Sequence, residues 1–192
     1  MTALSDKFEA ALALAHQLHR HQRRKGSDSP YVAHLLGVAS SVLKAGGDED
    51  EAIAGLLHDA VEDQGGPAVL AQIRERFGDR VAGIVEACSE WIDEDDRAPW
   101  RERKEASIHH VAVASPSELL VIAADKLDNA RSLRADYREA GEALWDRFHG
   151  GRDGTLWYYR AMLEALLAAG APAVLTTELA HVVEEIEREA GG

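Results

Sequence analysis

Apolar residues recur along this chain with a helical period from one end to the other. Over residues 5–24, Phe8, Leu12, Ala15 and Leu18 or His19 fall on one stripe, which predicts a first helix. A short loop at 26–30 leads into a second helix at 31–45, ended by Gly46-Gly47. Asp48 caps a third helix that reaches to about Val61. Gly65-Gly66-Pro67 interrupts the pattern, and Pro67 suits a first helical position. Helices at 69–77 and 79–91 flank Gly78, and the acidic run at 93–96 reads as a solvated loop. Another helix covers 100–113. Ser115-Pro116-Ser117-Glu118 reads as a capping box with proline at its first position, opening a helix to about Ala135. Helices at 140–148 and 155–169 follow, divided by Gly150-Gly151 and Gly154, and a last helix at 172–190 has an acidic outer face. No strand alternation, internal repeat or low-complexity linker interrupts the series. The fold class is therefore all-α, an irregular multi-helix bundle rather than a coiled coil.

Composition narrows the setting. The 192 residues suit one domain, 1–192, with enough chain for a substantial core. Hydrophobic content of 46% and charged content of 29% are ordinary for a soluble globular protein. No apolar run approaches a membrane span, and no basic segment followed by an apolar stretch opens the chain, so neither membrane nor secretion is expected. Cys88 is the single cysteine; it excludes an internal disulfide, suits the cytoplasm and reads as a small core residue. A net charge of −13 makes nucleic acid and anionic membrane poor partners. A small phosphorylated ligand remains compatible where positive charge is concentrated, as it is within residues 20–25. The oligomeric state stays open, a homodimer included.

The chemistry concentrates in A-G-L-L-H-D-A-V-E-D at 54–63. On a helix, His58 and Glu62 are four apart, Asp59 and Asp63 are four apart, and Asp59 and Glu62 are three apart, so one face carries an imidazole and three carboxylates. Ile53, Leu56, Leu57, Ala60 and Val61 surround that face and make the stretch largely buried. Buried acids repel one another and lose hydration, an arrangement that a cation or a catalytic task compensates. Asp125 is the first charge after a six-residue apolar run, and Lys126 stands on a different helical face from it, so a metal is the better partner. His34 opens the second helix in P-Y-V-A-H-L-L. His34, His58, Asp59 and Asp125 give two imidazoles and two carboxylates on three helices, a donor set that suits Mn²⁺, Fe²⁺, Zn²⁺, Ni²⁺ or Mg²⁺.

The order H…H-D-x-x-E-D…D resembles the HD-domain phosphohydrolases. The flanking sequence is similar to the hydrolase domain of the RelA/SpoT family and to the small stand-alone alarmone hydrolases related to the metazoan SpoT homologue. The matching pieces are H-R-H-Q-R-R-K at 19–25, P-Y-V-A-H-L-L-G-V-A at 30–39, L-L-H-D-A-V-E-D at 56–63, E-R-K at 102–104 and A-D-K-L-D-N-A-R-S-L at 124–133. The resemblance implies an HD-type helical bundle in which His34, His58, Asp59 and Asp125 hold one Mn²⁺. It implies that Glu62 and Asp63 position and deprotonate the attacking water, that Arg24 and Lys25 bind phosphate or stack near the base, and that Asn129 contacts ribose or phosphate. The implied reaction removes the 3′-pyrophosphate of guanosine 3′,5′-bis(diphosphate)-type alarmones by attack of a metal-activated water.

Elementary chemistry agrees with these roles. A divalent ion makes water more acidic and neutralises phosphoryl charge, and a nearby carboxylate accepts the proton. Arginine offers phosphate a planar fork and lysine a point charge. Three positions depart from the family pattern: Leu35 replaces the proline after the first ligand, Ile122 replaces a lysine, and Asp128 replaces a histidine or tyrosine. The last two subtract a positive charge and add a negative one near the expected ligand. They keep adenosine alarmones, the 2′-phosphate of NADPH and other nucleotide phosphates in play, together with a catalytically silent nucleotide-binding module. Trp157-Tyr158-Tyr159 reads as helical core packing or a base-pocket lining, Lys126, Arg131 and Arg134 as surface or pocket charges, and His109-His110 as structural.

Overall fold

Side-chain caps set the starts of three helices. Ser5 Oγ accepts the Lys7 amide at 3.2 Å and opens α1, Asp6–Leu18. Asp48 and Glu51 form a reciprocal capping box that opens α3, Glu49–Leu57, and Ser115 and Glu118 form another that opens α8, Pro116–Ala140. Between and after these lie α2 (Val32–Lys44), α4 (Ala60–Gln64), α5 (Gly66–Phe77), α6 (Asp79–Cys88), α7 (Trp100–Val111), α9 (Gly151–Ala168) and α10 (Ala173–Gly191). The computed structural model describes residues 3–25, 28–89 and 98–191. The acidic run at 93–96, the end of the helix expected over 79–91 and the start of the loop at 26–30 fall outside the described residues. Among the described residues no strand forms, and no helix is long and apolar enough to cross a membrane.

α3 is the buried axis of the bundle. Ala52, Ile53, Ala54, Leu56 and Leu57 have no exposed surface, and the helix lies against α1, α2, α6 and α8. The apolar run 119–124 buries α8 from the other side, which brings the middle of that helix to the end of α3. α9 and α10 cover the remaining flank of α8. Arg131 pairs with Glu178, Arg134 with Glu185 and Arg138 with Glu189, so the basic residues after Leu127 bind α8 to α10 rather than face a ligand.

Several boundaries differ from those the apolar pattern suggests. α1 stops at Leu18 instead of continuing to residue 24. Its apolar stripe ends there, and the following residues fold back, with the Arg24 amide on the Ser29 carbonyl and the Tyr31 amide on the Gln22 carbonyl, both at 3.0 Å. The basic residues of 20–25 therefore sit in a turn, not at a helix end. α8 runs past Ala135 to Ala140, and the stretch expected as a helix at 140–148 is a 3₁₀ helix, Gly141–Arg147. α9 begins at Gly151, whose φ of 57° suits glycine, and passes through Gly154, while Gly150 and Gly154 make room for an indole. A Cβ at Gly150 would lie 2.5 Å from Trp100 Cη2, and one at Gly154 would lie 3.2 Å away.

Candidate metal centre and adjoining cavity

His34 stands in the first turn of α2, His58 and Asp59 at the junction of α3 and α4, and Asp125 in the middle of α8. The helix expected to run through His58-Asp59 breaks there. His58 Nδ1 donates to the Gly55 carbonyl at 2.9 Å, the acceptor that an unbroken helix would offer to the Asp59 amide. Asp59 sits at φ −93° and ψ −4°, and the Asp63 amide resumes the helical pattern on the Asp59 carbonyl. The break turns both side chains inward.

The four side chains converge. Asp59 Oδ2 lies 3.4 Å from His34 Nε2 and 3.0 Å from His58 Nε2. Asp125 Oδ1 lies 3.3 Å and 3.5 Å from the same two nitrogens. One donor atom each from His34, His58 and Asp59 falls within 4.8 Å of the others. Both imidazoles are 3% exposed, and neither Nε2 has a hydrogen bond of good geometry. A buried ring nitrogen left without a partner is costly. Two of them aimed at two carboxylates form a nitrogen and oxygen donor set that fits a divalent cation.

Electrostatics carry the same message. Burial alone would lower His34, but the carboxylates of Asp125, Asp128 and Asp59 outweigh it and raise the ring to about 9. Burial likewise opposes, and Asp59 and Asp125 overcome, a rise of His58 well above its ordinary value. Burial would raise Asp59, yet His58 and His34 hold it far below the usual carboxylate range. Asp125 is also depressed against its burial, by Lys126 first and then the two histidines. A cation would meet this field directly.

Hydrogen bonds brace these side chains from behind. His34 Nδ1 donates to Asp128 Oδ2 at 2.7 Å. Tyr31 Oη donates to Asp59 Oδ2 at 2.7 Å, and burial together with Asp59 keeps that phenol protonated. Asn129 Nδ2 donates to Asp125 Oδ1 at 2.5 Å, and Asn129 Oδ1 accepts from Arg24 at 2.7 Å. Lys126 Nζ reaches Asp125 Oδ2 at 2.7 Å. The separation of Lys126 from Asp125 inferred from helical faces is thus corrected: its flexible stem swings the ammonium back across the helix.

A cavity of about 540 Å³ adjoins the cluster. Tyr31, His58, Asp59, Glu62, Asp125, Lys126 and Asn129 line it on one side, and Arg103, Lys104, Ser107 and His110 of α7 line it on another. Glu62 and Asp63 part company: both are exposed, but Glu62 lines the cavity, whereas Asp63 accepts from Gln22 at 2.7 Å and is not among the lining residues. Arg24 reaches the site through Asn129, and Lys25 is exposed and outside the lining. Trp157 packs edge-on against Trp100 with Arg101 over its face, so the aromatic cluster ties α7 to α9 instead of lining the cavity. Cys88 does line the cavity, its thiol pushed up by burial.

Sequence reasoning gives Tyr31 and Ser107 no role, sets Asp128 near the ligand rather than behind His34, and leaves His110 structural, whereas His110 lines the cavity beside Arg103 and Lys104. Tyr31 precedes His34 by three residues and Asp128 follows Asp125 by three, spacings that mark a shared helical face. The residues of α7 at 103, 107 and 110 repeat at helical spacing and could have been read as a single face.

A family model of the HD domain matches residues 11–156. The guanosine-3′,5′-bis(diphosphate) 3′-pyrophosphohydrolase MESH1 of Xenopus tropicalis is 39% identical over 134 residues, which cover 66% of this chain and 72% of that protein. The corresponding MESH1 of Drosophila melanogaster is 37% identical over 135 residues, covering 69% and 72%. A solved structure described as a metazoan ortholog of SpoT that hydrolyzes ppGpp superposes with a TM-score of 0.78 at 29% identity, covering 96% of this chain and 98% of that one. With the match extending over most of the bundle and its His-Asp pair at the heart of the site, the chain belongs to the HD-domain family.

Proposed function

We propose that this chain is a Mn²⁺-dependent hydrolase that releases pyrophosphate from the 3′ position of guanosine 3′,5′-bis(diphosphate)-type nucleotides. The observation that carries the reading is the convergence of two orphaned, buried imidazole nitrogens on two carboxylates beside a cavity to which α7 contributes Arg103 and Lys104. The similarity to proteins named for that reaction supplies the substrate class.

In this reading His34, His58, Asp59 and Asp125 hold the ion. When bound, it supplies Lewis acidity that favours ionisation of water near neutral pH and offsets charge on a phosphoryl oxygen. Glu62, at the cavity wall one turn past Asp59, accepts the proton of the attacking water. Water oxygen bonds to the 3′-linked phosphorus, the bond from that phosphorus to the ribose 3′-oxygen breaks, and the 3′-oxygen takes up a proton. Lys126, Arg103 and Lys104 face the cavity and balance the phosphate charge. Asn129 orients Asp125 and bridges it to Arg24.

Ile122 lines the cavity and offers no charge to a phosphate, which favours as a second reading a nucleotide with a single phosphate at the reacting position, such as NADPH. Purified protein incubated with Mn²⁺ and a nucleotide panel separates the two. Guanosine 3′,5′-bis(diphosphate) should disappear first, with guanosine diphosphate and pyrophosphate in equal amounts. Preferential release of inorganic phosphate from NADPH would overturn the assignment, and consumption of nothing on the panel would overturn both readings.

A further inference from the structure

Asp128 stands where the family resemblance places histidine or tyrosine, and it is absent from the cavity lining. Its negative charge is directed instead at the back of a proposed ligand: Oδ2 lies 2.7 Å from His34 Nδ1. Gly37 of α2 leaves the space for it, since a Cβ there would come within 2.2 Å of Asp128 Oδ1. His58 is oriented differently, by a neutral backbone carbonyl at 2.9 Å. We infer that Asp128 is a positioning residue that acts through His34, accepting its Nδ1–H so that the Nε2 lone pair faces the ion.

The physical consequence is an unequal pair of imidazoles. A carboxylate on the far nitrogen fixes the tautomer and the ring plane, and it strengthens the near nitrogen as a donor. A backbone carbonyl fixes the tautomer with less polarisation. Asp125 and Asp128 are three residues apart on α8, so one rigid helix supplies both a ligand and the support of a second ligand. Because Asp128 lies behind His34, its charge does not oppose an anionic nucleotide across the cavity. The substitution that looks unfavourable for substrate in the sequence belongs to the metal site.

The inference rests on the metal reading above, and its test separates the two. The metal-stripped full chain is titrated with Mn²⁺ by calorimetry, alongside D128N and D128A. D128A should bind at least roughly tenfold more weakly than the unmodified chain. D128N should fall between them, because its amide oxygen still accepts the Nδ1–H. The visible absorption of the Co²⁺-loaded protein should shift in the same order, a signature of altered ligation at the ion. Should D128A fail to fold, judged by circular dichroism in chelator, D128N alone decides. Unchanged affinity and spectrum in the variants would remove Asp128 from this role while leaving the metal site standing. Failure of the unmodified chain to bind Mn²⁺ would end both.

Discussion

Glu62 and Asp63 are neighbours in sequence with the same charge, yet they meet different surroundings. Glu62 lines the cavity, while Asp63 is turned outward and held by Gln22. A base must reach the proton it removes, so the proposed base is the first and not the second. Glu62→Gln should keep its metal, measured by mass spectrometry of the purified protein, and lose turnover by at least about a hundredfold. Asp63→Asn should keep most of both. Metal loss in the Glu62 variant would make that residue a ligand, and a hundredfold loss in the Asp63 variant would restore it to the chemistry.

At the scale of whole helices, close approach decides more than local propensity. Gly150 has φ −81° and ψ −6°, a conformation open to alanine, so its value lies in the indole of Trp100 beside it. Gly150→Ala should destabilise the fold by about 1–3 kcal/mol in urea denaturation, the usual cost of overpacking. Arg138→Ala, which breaks an exposed pair with Glu189, should scarcely move the same midpoint. A shift from Arg138→Ala as large as that from Gly150→Ala would mean that the α8–α10 contact depends on charge as much as the α7–α9 contact depends on packing. The sequence made the capped helix starts legible, because Ser5, Asp48 and Ser115 act within their own first turn. Asp59 and Asp125 stand out as candidates because buried charge in an apolar run demands a partner, whereas His34 is singled out only by the order of residues shared with the HD-domain hydrolases. The sequence did not show the break after Leu57 or the fold-back after Leu18. Those depend on where an imidazole finds its acceptor: His58 takes the Gly55 carbonyl, and His19 Nδ1 donates to Gln22 Oε1 at 2.7 Å while its ring stacks on Tyr31.

Across the whole molecule, the cluster joins α2, α8 and the α3–α4 junction through charges that resist burial unless they are matched. A divalent ion bound only to the folded chain should therefore stabilise all of it. Free ion at a hundred times its Kd adds about 2.7 kcal/mol, which for 192 residues raises the Tm by about 5–10 °C. Protons compete for the same site. In the metal-free protein His34 is raised from 6.5 to about 9, because Asp125, Asp128 and Asp59 outweigh its burial. A folded value above the unfolded one stabilises the metal-free fold fully below pH 6.5, and that contribution is lost as pH rises through 9. Ligation of the ion needs the proton removed, so metal binding and protonation pull in opposite directions. Calorimetric melting in chelator and in excess Mn²⁺ should show a smaller metal-induced gain at about pH 6.5 than at about pH 8.5. An equal gain at both would mean that binding of the ion displaces no proton from His34. No gain at either would mean that the carboxylates and imidazoles of the cluster satisfy one another without a metal.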